Sequence, residues 1–296
     1  MGRAALALPS GIGDGMMRIG TLGIVGVGLI GGSIGLAARE RGIAQRVIGI
    51  GRQTSSLQQA LDLGLITEFT TDLVAGGSQA DLTVFCTPVD LIGPQVRQLA
   101  PHLKPGTILT DAGSTKERIV QAVEGILPQG VAFIGSHPLA GSHRRGPDAA
   151  KADLFCNRLT ILTPTPTSDP HALATLTEFW QALGSRVQLL DAATHDRALG
   201  TTSHLPHAVA SALASVLPEA WQPLTATGFR DTTRLAAADP TLWTAIFREN
   251  QDAVRDALDR FEAALATFRQ LLAHDDADAL HQWLTNAKQV RDALGS

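Results

Sequence analysis

Hydrophobic and polar positions divide the chain into two regimes. From Arg18 to Leu190, short apolar runs of strand length alternate with stretches of helical period. The strand-like runs fall at 22–25, 47–50, 82–86, 107–110, 131–134, 159–162 and 186–190. Helical spacing follows the first run through Ile34, Leu36, Ala37 and Ala38, and recurs over 89–100 and 171–183. Leu82-Thr83-Val84-Phe85-Cys86 is almost continuously apolar, as a parallel strand buried on both faces must be. Strands alternating with helices predict an α/β fold with one open, mostly parallel sheet. From Asp191 the strand signals stop, and alanine and leucine at 3.6-residue spacing run to the C-terminus. Helices are expected over 192–216, with a kink at Pro206, and over 241–272 and 277–294. The resulting division is a tail over 1–17, an α/β unit over 18–190 and an all-α unit over 191–296.

The first strand runs into Gly26-Val27-Gly28-Leu29-Ile30-Gly31, and a helix starts there. Gly26 serves a tight turn, Gly28 admits a pyrophosphate to the backbone, and Gly31 permits close helix–strand packing. The N–H groups opening the helix, around Leu29 and Ile30, then face the phosphates. A glycine-rich turn without a ligand is the bland alternative, but the strand before it and the helix after it are the context a dinucleotide site requires. At the end of the second strand, an acid would hold the ribose hydroxyls of NAD. The chain has Gly51-Arg52-Gln53-Thr54-Ser55 instead. Arg52 offers a planar fork to a 2′-phosphate, and Thr54 and Ser55 add hydroxyl donors, so NADP is the expected cofactor. Failing that, Arg52 is a solvated loop arginine. Ligands of such sheets sit beyond the carboxyl ends of the strands, which is where Thr87, Pro88, Ser114 and His137 fall.

Composition narrows the class further. The 296 residues are 44% hydrophobic and 18% charged, a globular balance, and the net charge of -4 supplies no footprint for nucleic acid. No apolar stretch reaches the ~20 residues of a membrane span. Cys86 and Cys156 lie far apart without metal-ligand or redox spacing, as expected of a cytoplasmic protein whose chemistry needs no metal. The side chains that remain are Ser114, His137, the pair His204 and His207, and Arg234. A histidine suits the removal of a hydroxyl proton during oxidation, and a guanidinium holds a carboxylate bidentately. Packing for either helical histidine, and an ion pair between Arg234 and Asp231, are the competing structural roles. The residues by themselves predict an NADP-dependent dehydrogenase of a small anionic alcohol.

Five blocks carry a resemblance to a known family. They are Gly26-Val-Gly-Leu-Ile-Gly-Gly-Ser33, Asp111-Ala-Gly-Ser-Thr-Lys116, Ser136-His-Pro-Leu-Ala-Gly141, Thr202-Ser-His-Leu-Pro-His207 and Gly228-Phe-Arg-Asp-Thr-Thr-Arg-Leu-Ala236. In this order they resemble the prephenate and arogenate dehydrogenases of tyrosine biosynthesis, over nearly everything from Arg18 onward. The resemblance implies a Rossmann-like domain followed by a helical dimerisation domain, with the active site between them. It also implies a homodimer and oxidative decarboxylation of a cyclohexadienol. His137 would accept the proton of the ring hydroxyl, and Ser114 would hold that hydroxyl or orient His137. Arg234 would bind the side-chain carboxylate, with Ser203, His204 and His207 lining the pocket. Trp243 matches a position near the substrate, where packing is an equal reading. His143 stands where many relatives carry a glutamate, so the gating tied to that acid does not transfer.

The arginine-bearing second turn resembles the NADP-dependent arogenate enzymes of cyanobacterial type. Prephenate, or both substrates as in a cyclohexadienyl dehydrogenase, is the alternative. A β-hydroxyacid dehydrogenase would place a catalytic lysine in the long helix, where this chain has histidines. A non-catalytic NADP-binding regulator need not keep Ser114, His137 and Arg234 together.

Overall fold

The computed structural model describes residues 17–141 and 144–295; all of the tail expected over 1–17 except Met17, together with Ser142, His143 and Ser296, lies outside them. Six strands form a parallel sheet in the order β3-β2-β1-β4-β5-β6. They are β1 (Ile19–Val25), β2 (Ala44–Ile50), β3 (Glu68–Thr70), β4 (Leu82–Phe85), β5 (Ile108–Asp111) and β6 (Ala132–Phe133). Successive side chains of β1 point to opposite faces, and both faces are covered. Leu22 and Ile24 join Ile34, Val47, Phe155, Phe179 and Trp180 in one core. Val25 joins Ile48, Ile50, Phe85, Ile92, Val96 and Ile119 in the other. Helices α1 (Leu29–Glu40) and α6 (Pro170–Ala182) contribute to the first core, and α4 (Val89–Leu99) and α5 (Glu117–Val123) to the second. Two short helices, α2 (Thr54–Asp62) and α3 (Leu73–Gly77), flank β3. Neither β3 nor α3 is signalled by the sequence pattern, because each is too short to show a period.

The run at 131–134 does not continue as one strand into the His137 block. It splits at Ile134 into β6 and β7 (Gly135–Pro138), which belong to different sheets. The later runs, β8 (Leu159–Thr163) and β9 (Arg186–Leu189), likewise leave the main sheet. They form a second, three-stranded sheet in which β7 is antiparallel to β8 and β8 parallel to β9. The single sheet expected from the sequence is therefore two, since apolar runs reveal strands but not their partners. The parallel, doubly wound character holds for the six-stranded sheet.

Beyond β9 the described chain is helical. Helices α7 (Ala192–Leu199) and α8 (Leu205–Ser215) are joined by a π-helical turn over Gly200–His204. The irregularity thus precedes Pro206, which sits in the first turn of α8, where its missing N–H costs nothing. After α9 (Thr227–Thr233), the expected helix over 241–272 is interrupted at Asn250 into α10 (Pro240–Glu249) and α11 (Gln251–Ala273), followed by α12 (Ala277–Ala293). Ile246 of α10 inserts into the second core and anchors this half to the first. Leu199, Ala210, Val254 and Ala257 are also buried, but Trp221, Leu224, Leu272, Leu284 and Val290 are each more than half exposed.

Candidate active site

The crevice for a dinucleotide lies where the strand order reverses, between β1 and β4. Gly26 turns there with φ +94°, and a Cβ on it would sit 2.9 Å from the Cys86 carbonyl oxygen and 3.2 Å from the Thr87 methyl. A Cβ on Gly31 would come within 2.2 Å of the Gly26 carbonyl oxygen, so helix and turn meet at a distance only glycine allows. At Gly28, by contrast, the added carbon meets nothing within 4 Å, which is the open face a phosphate needs. Leu29, Ile30 and Gly31 precede the first intrahelical bond, Gly32 N to Gly28 O at 2.8 Å, and no side chain caps them. Aspartates cap α3, α6, α7, α10 and α12. Helices α1 and α2 lack such a cap. Arg52, Thr54 and Ser55 stand exposed where β2 meets α2. Thr87 Oγ1 donates to Gln95 Oε1 at 2.6 Å, and Pro88 opens α4. The residues present fit a dinucleotide, with a basic, acid-free rim at the α2 end.

His137 lies within β7 and is buried. Its Nδ1 is 2.8 Å from Nε2 of His195, whose Nδ1 is 2.7 Å from Oδ1 of Asp196. Asp196 also accepts from the backbone N–H of Lys116 at 2.8 Å and of Glu117 at 2.9 Å, which places its carboxylate at the N-terminus of α5. The direction of this chain follows from its end. A carboxylate only accepts, so His195 carries its proton on Nδ1 and accepts at Nε2. His137 therefore donates from Nδ1 and keeps the lone pair of Nε2 for another partner. Burial, reinforced by the neighbouring His195 and Lys116, pushes the pKa of His137 well below that of a free imidazole. Burial also lowers His195, against the opposing hydrogen bond that it donates to Asp196. Both rings are neutral near pH 7, as a proton acceptor must be.

A second buried cluster ties the strand ends together. Asp111, the last residue of β5, pairs with the Lys116 ammonium, and both side chains are fully buried. Burial drives the carboxyl up and the ammonium down, and each relieves the other. Asp111 also accepts from Gly113 N at 2.8 Å and from Ser136 N at 3.1 Å, and its carbonyl oxygen accepts from the Ser136 hydroxyl. The loop bearing Ser114 and the strand bearing His137 are thus locked to one residue. Ser114 is half-buried beside this lock; the bond that orients His137 comes from His195, not from Ser114.

In the helical half, His204 is buried and His207 half-buried. Trp243 stacks on His207 with ring centroids 3.5 Å apart and meets His204 edge-on at 5.9 Å. Asn250 bonds to both the Asp196 carbonyl oxygen and His204 Nδ1, which joins this cluster to the His195–Asp196 pair. Ser203 lies half-buried in the π-helical turn. Arg234 follows α9, exposed and close enough to His207 to depress its pKa after burial has done most of the work. Among the described residues no ion pair joins Arg234 to Asp231. The structure brings His137, His204, His207 and Trp243 into one connected region, and leaves Arg52, Thr54 and Ser55 at the cofactor end.

His195, Asp196, Lys116 and Asn250 are absent from the residues singled out by sequence. One signal for the first two was available. On α7 the buried positions are His195, Asp196 and Leu199, so polar residues occupy a helical face where apolar ones are expected.

Residues 34–189 match the family model of the prephenate dehydrogenase nucleotide-binding domain, and residues 191–286 match that of the prephenate dehydrogenase dimerization domain. A cyclohexadienyl dehydrogenase from Zymomonas mobilis is 34% identical over 92% of this chain and 95% of its own. Among solved structures, an Aquifex aeolicus prephenate dehydrogenase in complex with hydroxyphenyl propionate and NAD+ superposes with a TM-score of 0.88. It is 32% identical, over 94% of this chain and 99% of the other. A Synechocystis arogenate dehydrogenase superposes at 0.79, with 35% identity over 93% and 99%. With both halves matched in order and relatives aligned nearly end to end, the chain belongs to the prephenate dehydrogenase family, enzymes of aromatic amino acid biosynthesis.

Proposed function

We propose that this enzyme is an NADP-dependent arogenate dehydrogenase, acting as a homodimer in the cytoplasm and forming tyrosine by oxidative decarboxylation. The observation that carries the oxidation chemistry is the His137–His195–Asp196 chain, which leaves Nε2 of a neutral imidazole free to accept a proton. His137 Nε2 takes the proton of the substrate's ring hydroxyl, and the developing charge spreads over His195 toward Asp196. Ser114 holds the same hydroxyl, and the lock at Asp111 keeps the two in register. Gly26, Gly28 and Gly31 seat the pyrophosphate on α1, Thr87 and Pro88 border the crevice, and Arg52, Thr54 and Ser55 grip the 2′-phosphate. NADP, when bound there, supplies the hydride acceptor. Arg234 takes the side-chain carboxylate, and Ser203, His204, His207 and Trp243 wall the pocket.

The uncapped start of α2 beside Arg52 supports NADP, because it gathers backbone donors and a guanidinium without an opposing acid. Arogenate is favoured by the likeness to the Synechocystis enzyme together with this turn. The uncovered apolar faces of the C-terminal helices support association with a second copy. Prephenate is the second reading, favoured by the Aquifex relative, whose structure holds NAD+. Initial rates of reduced-cofactor formation with arogenate or prephenate, each paired with NADP or NAD, test both choices. Arogenate with NADP is expected to give the highest kcat/KM. A higher value with prephenate overturns the substrate assignment, and equal values for the two cofactors overturn the cofactor assignment.

A further inference from the structure

Asn250 stands at the break between α10 and α11, with φ −118° and ψ 34°, and only 5% of its surface is exposed. A polar residue that interrupts a helix and is then buried needs a reason. Its amide nitrogen lies 2.8 Å from the Asp196 carbonyl oxygen and 3.0 Å from His204 Nδ1. A carbonyl oxygen only accepts, so the atom facing it is the NH2 group and the orientation of the amide is determined. The second N–H of that group then points to His204 Nδ1, which must present a lone pair. A neutral imidazole with a lone pair on Nδ1 carries its proton on Nε2. That Nε2 is buried and has no hydrogen-bond partner among the described residues.

A buried N–H without an acceptor is costly, and folded chains rarely keep one. The groups around His204 do not relieve it. Trp243 meets it edge-on and can only donate, and Asp196 is committed to His195, Lys116 and Glu117. His195 is engaged at both nitrogens, and His207 is stacked on Trp243. We infer that Asn250 is a positioning residue that fixes His204 as the Nε2–H tautomer, so that this donor is held for a carboxylate oxygen of the substrate. The inference rests on the proposed substrate site and deepens it. Burial keeps His204 neutral, lowering its pKa to about 4, so the contact is a neutral hydrogen bond and not an ion pair. Asn250 also braces the backbone of Asp196, and so couples this donor to the chain that ends at His137.

The test is the 15N spectrum of histidine-labelled enzyme, with the His204 signals assigned by loss in His204→Gln. Unliganded enzyme is expected to show His204 protonated at Nε2 and bare at Nδ1, and added hydroxyphenyl propionate is expected to shift the Nε2–H resonance. In Asn250→Asp, a carboxylate replaces the donor and draws the imidazole proton to Nδ1. KM for the substrate is expected to rise about tenfold, the scale of one hydrogen bond to a charged group, with kcat changed less. An Nδ1–H tautomer in the parent, an Nε2–H signal indifferent to the ligand, or an unchanged KM in Asn250→Asp overturns the inference. If Asn250→Asp does not fold, the parent spectra decide alone. An enzyme that oxidises neither arogenate nor prephenate refutes the proposed function, whereas an Nδ1–H form in an active enzyme refutes only the role of Asn250.

Discussion

Replacing Asp196 with Asn keeps the outline of the side chain and reverses one of its edges. Oδ1 accepts from His195 Nδ1 at 2.7 Å and from Lys116 N at 2.8 Å, while Oδ2 accepts from Glu117 N at 2.9 Å. An amide has one oxygen, so a donor must face a donor whichever way it turns. With the NH2 toward Glu117, one backbone N–H is orphaned at a cost of about 1–3 kcal/mol. With the NH2 toward His195, the Lys116 N–H loses its acceptor, and the ring must move its proton to Nε2, which forces His137 to expose Nδ1 as acceptor and spoils Nε2 for the substrate.

In either case the negative charge that balances a proton gained by the two rings is lost. Unit charges about 4 Å apart interact by ~4 kcal/mol at an effective dielectric of 20, and a half-transferred proton would feel about half of that. The expected loss is roughly 2–3 kcal/mol of transition-state stabilisation, or about 30- to 150-fold in kcat, with KM little changed. Melting should fall by roughly 2–10 °C for the orphaned donor. The assay is reduced-cofactor formation under saturating substrate, with circular dichroism to confirm folding. A folded Asp196→Asn variant within threefold of the parent kcat would refute the argument.

Arg234→Ala should raise KM by about ten- to a hundredfold and change kcat less, as for a lost carboxylate contact; a lower melting temperature with KM unchanged would give Arg234 a structural role instead. Arg52→Ala should weaken NADP by up to about tenfold while sparing NAD, a magnitude reduced because the site is exposed. Adding Gly51→Asp should push the preference toward NAD; titrations of both cofactors check this, and an unchanged NADP affinity in Arg52→Ala counts against it. His137, His195 and His204 all have folded pKa values below 6.5, so the unfolded chain binds protons that the folded one refuses. Stability should therefore fall on acidification below about pH 6.5, by up to about 1.4 kcal/mol per pH unit for each ring; a melting temperature that holds or rises between pH 7 and 5 would contradict this.

The parts of the fold legible in the sequence are those set by local pattern. Gly26, Gly28 and Gly31 announce their turn because each answers a steric demand within a few residues. The β4 run reads as a buried strand because both its faces are apolar. What escaped was decided by distant partners. Nothing near Ile134 reveals that β6 and β7 enter different sheets, since that depends on β8 arriving from across the loop. His195 escaped for a similar reason: it lies on helix α7, and its meaning comes from His137, on a strand far away in sequence. Asn250 looks like one more polar residue in a long helix until the Asp196 carbonyl and the His204 ring are seen on either side of it. His137 and Ser114 were singled out because each follows an apolar run of strand length, although His137 itself lies within β7 and not at the end of a strand of the main sheet.

The fastening of Ser136 to the end of β5 has a consequence for how the family can vary. Ser136 N reaches the Asp111 carboxylate, and Thr110 Oγ1 donates to the Ile134 carbonyl oxygen at 2.7 Å. The segment bearing His137 is therefore stapled at both ends of a detour, through α5 and the link from Glu124 to Val131, whose own length the staple does not read. Residues can be gained or lost at the exposed Glu124 and Gly125 without moving His137 relative to Ser114. Spacing along the chain between the Asp111 and Ser136 blocks is then free to drift between lineages, while the space between their side chains is not.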